Sequence, residues 1–187
     1  MKNPMIVVVG PSGAGKSTFV DKVIAENPLL RDTVTYTTRA MRPHESEGNP
    51  YHFVGTQKFE DLIQENFFVE WAKVHNNHYG TPFYQIQEAW EQGLAIIMDV
   101  DVQGAKTFKD KFPQALTVFI NPPSIDALRQ RVLKRDQGTT KDLELRMKNA
   151  IKEMSLAGDF DVQLINDDFD KSYREFKKKI EEYLESD

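Results

Sequence analysis

The chain contains no cysteine. Disulfide bridges and thiolate metal sites are therefore excluded, and the absence fits a cytoplasmic setting. Pro/Ser-rich linkers, low-complexity tracts and internal repeats are also missing. So are long apolar runs. The one nearest the start, Met5–Val9, stops at Gly10, too short for a signal-peptide core and far below the roughly 18 residues a spanning helix needs. Positive charge is not in excess: 24 Lys and Arg face 29 Asp and Glu, a formal net charge of −5. That balance argues against nucleic acid or an anionic membrane as partner. The four histidines, His44, His52, His75 and His78, stand in no metal-ligand spacing. What remains is one domain's length of chain, 187 residues, 40% of them hydrophobic, enough for a sizeable core.

What is present has an α/β rhythm. Met5–Val9 is a short, β-branched apolar run, as expected of a buried parallel strand. Residues 16–25 place Phe19, Val20 and Val23 at helical spacing. Residues 94–98 (LAIIM) and 116–120 (LTVFI) are two more buried strands, with a polar helix over Val102–Lys111 between them. Ser124 is expected to cap a helix running to about Lys134. Residues 162–165 form a further strand, and residues 168–184 an amphipathic helix with Tyr173, Phe176, Ile180 and Leu184 on one stripe. Strands alternating with helices predict a parallel sheet covered by helices on both faces. Two stretches break the alternation. Residues 35–81 hold a turn-rich polar segment, a helix over 56–64 and a strand over 67–74, and are expected to form an inserted lobe. Residues 135–150 are a charged excursion suited to a lid. The core is then 1–34, 82–134 and 151–187. Trp71 and Trp90 are expected to pack in the core or lobe.

Gly10-Pro11-Ser12-Gly13-Ala14-Gly15-Lys16-Ser17-Thr18 fits the Walker A spacing, with a strand before it and a helix after it. Its glycines let successive N–H groups face one point, and the helix adds its positive end. Lys16 supplies a point charge for β- and γ-phosphates, and Ser17 a hydroxyl for Mg²⁺. Arg39 and Arg42 sit three apart in a turn-rich segment ahead of Tyr51. Guanidinium forks suit a phosphate monoester, although alone such a pair also fits solvated surface. Asp99 and Asp101 close the strand LAIIM, at the strand end where open α/β sheets bind ligands. Asp101 also fits as the cap of the next helix. Glu70 alone fits an exposed strand residue.

Taken together, GPSGAGKST, TTRAMRPHESEGNPYHFV, FFVEWAKVHNNHYGTP, IIMDVDVQGAK, NPPSIDALRQRVLKRD and LINDDFD resemble the guanylate kinase family in order and spacing over nearly the whole chain. The resemblance implies a P-loop NTPase fold with a GMP-binding lobe and a helical lid. It implies transfer of the ATP γ-phosphate to GMP with Mg²⁺, in a monomer or homodimer. By position, Arg39, Arg42, Tyr51 and Tyr79 match the clamp on the GMP phosphate, with Gly80 beside it. Glu70 matches the carboxylate that reads guanine; an ionised carboxylate is acceptor-only and suits guanine's adjacent N1–H and N2–H₂ donors. Thr35 and Thr81 match hydroxyl residues near the base, and Asp101 a second guanine contact. Asp99 matches the Walker B acid that, with Ser17, holds the metal. Lys16, Arg39, Arg135 and Arg146 match the catalytic cations, and Arg131 lies beside them. Thr35 stands where serine is usual, and Asp136 where glycine is usual. A catalytically inactive binding module with this fold would have a degraded Walker loop; here the loop is whole. An adenylate-kinase-like chain would lack Glu70 and the Tyr79-Gly80 context.

Overall fold

The computed structural model describes residues 3–43, 45–74, 76–135 and 143–186. In chain order the elements are β1 (Met5–Val9), α1 (Lys16–Glu26), β2 (Leu30–Arg31), β3 (Thr35–Thr37), β4 (Ser46–Glu47), β5 (Pro50–Phe53), α2 (Thr56–Gln64), β6 (Phe68–Val74), β7 (Asn77–Pro82) and α3 (Phe83–Glu91). There follow β8 (Ala95–Asp99), α4 (Val102–Lys111), β9 (Leu116–Asn121), α5 (Ile125–Arg135), α6 (Leu143–Ser155), a 3₁₀ turn (Ala157–Asp159), β10 (Val162–Ile165) and α7 (Phe169–Glu185).

Five strands make an all-parallel sheet in the order β10-β9-β1-β8-β2. Its central strand is apolar at every position because both faces are covered. Met5, Val7 and Val9 face one core with Met98, Phe108 and Phe119. Ile6 and Val8 face the other with Phe19, Ile97 and Phe176. This is the period-two alternation of a strand, written in hydrophobic residues on both sides. Side-chain caps start three of the covering helices: Asp101 Oδ1 accepts from Gly104 N at 2.7 Å, Ser124 Oγ from Ala127 N at 3.0 Å, and Asp168 Oδ1 from Lys171 N at 2.8 Å. No helix of the described residues is long and apolar enough to cross a membrane.

The segment 35–81 is not mainly turn. It forms a second, mixed sheet in the order β4-β5-β3-β7-β6, with α2 packed on it through Phe59, Leu62 and Phe68. Helix α2 keeps its expected bounds. The sequence reading missed β3, β4, β5 and β7, along with α3. Residues 143–155 are helix, and Met147 and Ala150 bury against Leu128 and Val132 of α5. The expected lid boundary at residue 150 therefore falls inside α6, and Asp136 lies outside the described residues. Trp71 is not packed away: it is 46% exposed, because it points to the outer side of β6. Trp90 packs against the core and donates Nε1–H to Pro4 O at 3.1 Å.

Candidate active site

A cleft of about 1080 Å³ separates the two sheets. Its floor is the loop between β1 and α1. Gly10, Gly13 and Gly15 have φ of 141°, 95° and 102°, a region that L side chains rarely adopt. Space excludes side chains there as well: a Cβ on Gly10 would lie 2.4 Å from Ile120 O, and one on Gly15 2.7 Å from Asn166 Nδ2. Pro11 and Ala14 are buried and shape the loop through Ala14 N to Pro11 O, 3.0 Å. Gly10, Ser12, Gly13, Gly15, Ser17 and Thr18 line the cleft. Lys16 also lines it; its ammonium donates to Gly10 O at 2.7 Å. Ser17 Oγ donates to Asp99 Oδ2 at 3.0 Å, which joins the helix start to the end of β8.

Three residues around this loop are not among the expected site residues. Asn166 is buried and donates Nδ2–H to Ala14 O at 2.7 Å, pinning the loop. Its own carbonyl accepts from Arg131 Nη2 at 2.7 Å. One turn apart on α6, Asn149 and Glu153 face the loop across the cleft. Burial pushes the Glu153 carboxyl up, against the pull of Lys16. Arg135 ends α5 and reaches Ser12 Oγ at 3.4 Å. Arg146 stands on α6, outside the residues that line the cleft.

The opposite wall belongs to the second sheet. Thr35, Tyr51, Glu70, Tyr79 and Thr81 all line it. The Tyr51 and Tyr79 rings meet edge to face with centroids 5.8 Å apart, and the Arg39 guanidinium lies 5.4 Å from the Tyr51 ring centroid. Arg39 does not itself line the cleft. Its Nη1 and Nη2 donate to the two carboxylate oxygens of Glu45 at 3.0 and 2.7 Å, and Nη1 also to Ala40 O at 2.8 Å. Arg42 N donates to Glu45 Oε2 at 2.8 Å, and its guanidinium stands 3.8 Å from Oε1. Glu45 is therefore the pivot of the two arginines, and Arg39 holds its carboxyl below the usual range. Burial works against the charge of Arg39, but Glu45 and Tyr79 more than offset it. Gly80 does not line the cleft. A Cβ there would lie 2.8 Å from the Phe68 ring, so close packing of β7 accounts for the glycine.

Glu70 is 8% exposed. Its Oε1 accepts from Thr81 Oγ1 at 3.0 Å, across the β6–β7 pair. Burial pushes its carboxyl up to about 7, with Thr81 acting the other way and Asp101 adding to the rise. A carboxylate poised near neutrality in a cleft is the signature of a functional group. Asp101 caps α4, as one of its two readings expects, and it also lines the cleft.

A glycine loop of Walker spacing at the carboxyl ends of a parallel sheet, facing a second wall of tyrosines, threonines and a buried carboxylate with two arginines behind it, defines a P-loop protein with room for a ligand on each wall. Comparison with known proteins agrees. The guanylate kinase family model matches residues 2–183. A curated guanylate kinase of Bdellovibrio bacteriovorus is 54% identical over 184 residues, covering 98% of this chain and 100% of that one. Another, from a Shewanella species, is 40% identical over 177 residues, 94% of this chain and 86% of that one. The crystal structure of guanylate kinase from Anaplasma phagocytophilum superposes with a TM-score of 0.82 at 26% identity, covering all of this chain and 89% of that one. The chain belongs to the guanylate kinase family.

Proposed function

We propose that this chain transfers the γ-phosphate of ATP to GMP, giving ADP and GDP. The observation that carries the reading is one cleft with a whole Walker loop on one wall and the buried Glu70–Thr81 pair on the other. Lys16 and the loop N–H groups take the donor phosphates. Arg39, Arg42, Tyr51 and Tyr79 take the acceptor phosphate, with Glu45 orienting the arginines. Glu70, Thr81, Thr35 and Asp101 surround the base. Residues 35–81 then serve as the acceptor lobe and 135–150 as the lid that carries Arg135 and Arg146.

An oxygen of the GMP phosphate attacks the γ-phosphorus as the bond to the β-phosphate oxygen breaks. The nucleophile is already anionic, so no general base is needed. The work of the protein is positioning and charge neutralisation. Ser17 Oγ and Asp99 Oδ2 are hard oxygen donors 3.0 Å apart, and the described residues contain no cluster of three His, Cys, Asp or Glu that would cage a metal. That donor set fits Mg²⁺, which binds proteins through one or two oxygens and otherwise through phosphates and water. Bound there, it would neutralise charge on the donor phosphates.

The test is ADP release with ATP-Mg²⁺ against a panel of monophosphates. Turnover is expected to be strong with GMP, weaker with dGMP, and slight with AMP, CMP or UMP. Equal rates with AMP and GMP would overturn the guanine assignment.

Glu70 gives a second expectation. Only the ionised carboxylate presents two acceptors to guanine, so GMP binding should draw off the proton that burial favours. At pH 6.5, below about 7, the protonated form of Glu70 predominates in the free chain. Wild type should then release more protons than Glu70→Gln on binding GMP, read by calorimetry in buffers of different ionisation enthalpy. The free fold should respond in the same sense: with the carboxyl's pKa raised, stability is lost as pH rises from about 4.5 through 7. Equal proton release by the two proteins would mean that Glu70 does not face the base.

A further inference from the structure

Helix α4 contains a glycine, Gly104, in its first turn. Glycine is a poorer helix former than alanine, and inside a helix it calls for a packing or functional reason. Backbone conformation does not supply one, because Gly104 is not among the glycines with positive φ. Close approach does. A Cβ on Gly104 would lie 3.0 Å from Glu70 Oε2, 3.4 Å from Glu70 Cδ and 3.4 Å from Val100 Cβ. A methyl group there would press on the carboxylate, which would have to give way by a few tenths of an ångström.

We infer that Gly104 is a positioning residue for base recognition: its bare Cα lets the first turn of α4 close on the Glu70 carboxylate and hold it at the guanine site. The inference rests on the assignment of Glu70 as the base reader. Glu70 has little freedom to retreat. Its other oxygen is bonded to Thr81, and the residue is buried. The backbone of β6 is held as well, since Lys111, two turns further along α4, donates its ammonium to Val69 O. Helix α4 therefore grips β6 at two points, the carboxylate of Glu70 at its N-terminal end and the carbonyl beside it at the other. The N–H of Gly104 is taken by Asp101, so the contact with Glu70 is one of shape, and a methyl group is the sharpest probe of it.

Gly104→Ala is expected to raise KM for GMP about tenfold and to leave KM for ATP within twofold. Its melting temperature should be unchanged or higher, because alanine is the better helix former. A glycine with a merely structural role would do the reverse, lowering the melting temperature and disturbing both substrates together. Gly158→Ala, where an added Cβ meets nothing within 4 Å, should change none of these. Adding Gly104→Ala to Glu70→Ala, which removes the group the new methyl would touch, should cost less than threefold further in kcat/KM for GMP, since the glycine acts through that carboxylate. A full additional tenfold loss in that background would overturn the inference, as would unchanged KM for GMP in the single variant. If Glu70→Gln alone keeps its GMP efficiency, the base-reader assignment and this inference fall together. If Glu70→Gln is impaired and Gly104→Ala is not, only this inference falls.

Discussion

Lys16→Ala is expected to lower kcat by on the order of 10²–10³ at saturating ATP, with GMP affinity kept within about threefold. Lys16 stands at the first position of α1, and its ammonium lies 2.7 Å from Gly10 O at the floor of the cleft. It brings a point charge with three donors to the place where charge develops during transfer. Removing one such preorganised donor from a catalytic site typically costs 10²–10³ in rate. The acceptor side should be spared, because the residues assigned to GMP lie on the other sheet, in the segment between β3 and β4, or just after β8, and Lys16 bonds to none of them. The fold should be spared too: the position is only half-buried, and alanine suits a helix start as well as its interior. Steady-state kinetics with each substrate varied in turn, set beside a melting curve, separates these effects. A variant with kcat within about tenfold of wild type would mean that the Walker loop binds but does not catalyse.

The core was legible because it is written in residues that have one place to go. Every residue of β1 is fully buried, and a short β-branched run that ends in Gly-Pro has few alternatives to a central strand. The bounds of α4 were readable because Asp101 caps it with its own side chain. The second sheet was not readable for the opposite reason. Strands β3 and β5 are three and four residues long and carry Thr, Tyr, Pro and His, and β4 has two residues. Their partners come from far along the chain, β3 pairing with β5 on one side and β7 on the other, so no local period marks them. Helix α3 is different. Phe83, Ile86, Ala89 and Trp90 stand at helical spacing after Pro82 at its N-cap, and that signal was present.

The site divides the same way. The Walker loop is contiguous, and its spacing alone identifies it. The clamp and the base reader are assembled from β3, β5, β6, β7 and the end of β8, and only resemblance to a family gathered them. Glu45 carried no mark in the sequence: it is one acid among several in a polar turn, and its role exists only because the fold presents both of its oxygens to Arg39. Asn166 and Glu153 are similar. The first matters through the carbonyl of Ala14, 152 residues away, and the second through its position opposite Lys16 on a helix whose composition resembles any solvated one.

Glu70→Gln should lower kcat/KM for GMP by on the order of 10²–10³ while leaving the ATP side and the fold nearly intact. The side chain is 8% exposed, and Oε1 already accepts from Thr81. Glutamine keeps the shape but has one acceptor oxygen in place of two. That oxygen must serve either Thr81 or guanine, and the new NH₂ then faces a donor in one direction or the other. A buried neutral polar group left unpaired costs about 1–3 kcal/mol, and more when charge is involved, as it is here; the expected loss corresponds to about 3–4 kcal/mol at about 1.4 kcal/mol per decade. AMP offers an acceptor at N1 and a donor amine, so it should lose nothing and gain slightly. Melting temperature separates this from damage. In the free chain burial raises the Glu70 carboxyl to about 7. Ionising it at pH 8 therefore costs stability that a neutral glutamine does not, and the variant should melt at the same temperature as wild type at about pH 4, below the unfolded carboxyl's pKa, and higher at pH 8. GMP efficiency within about threefold of wild type, less than 1 kcal/mol, would mean that Glu70 does not read the base. Guanine selection would then have to rest on Asp101, Thr35 and Thr81 alone.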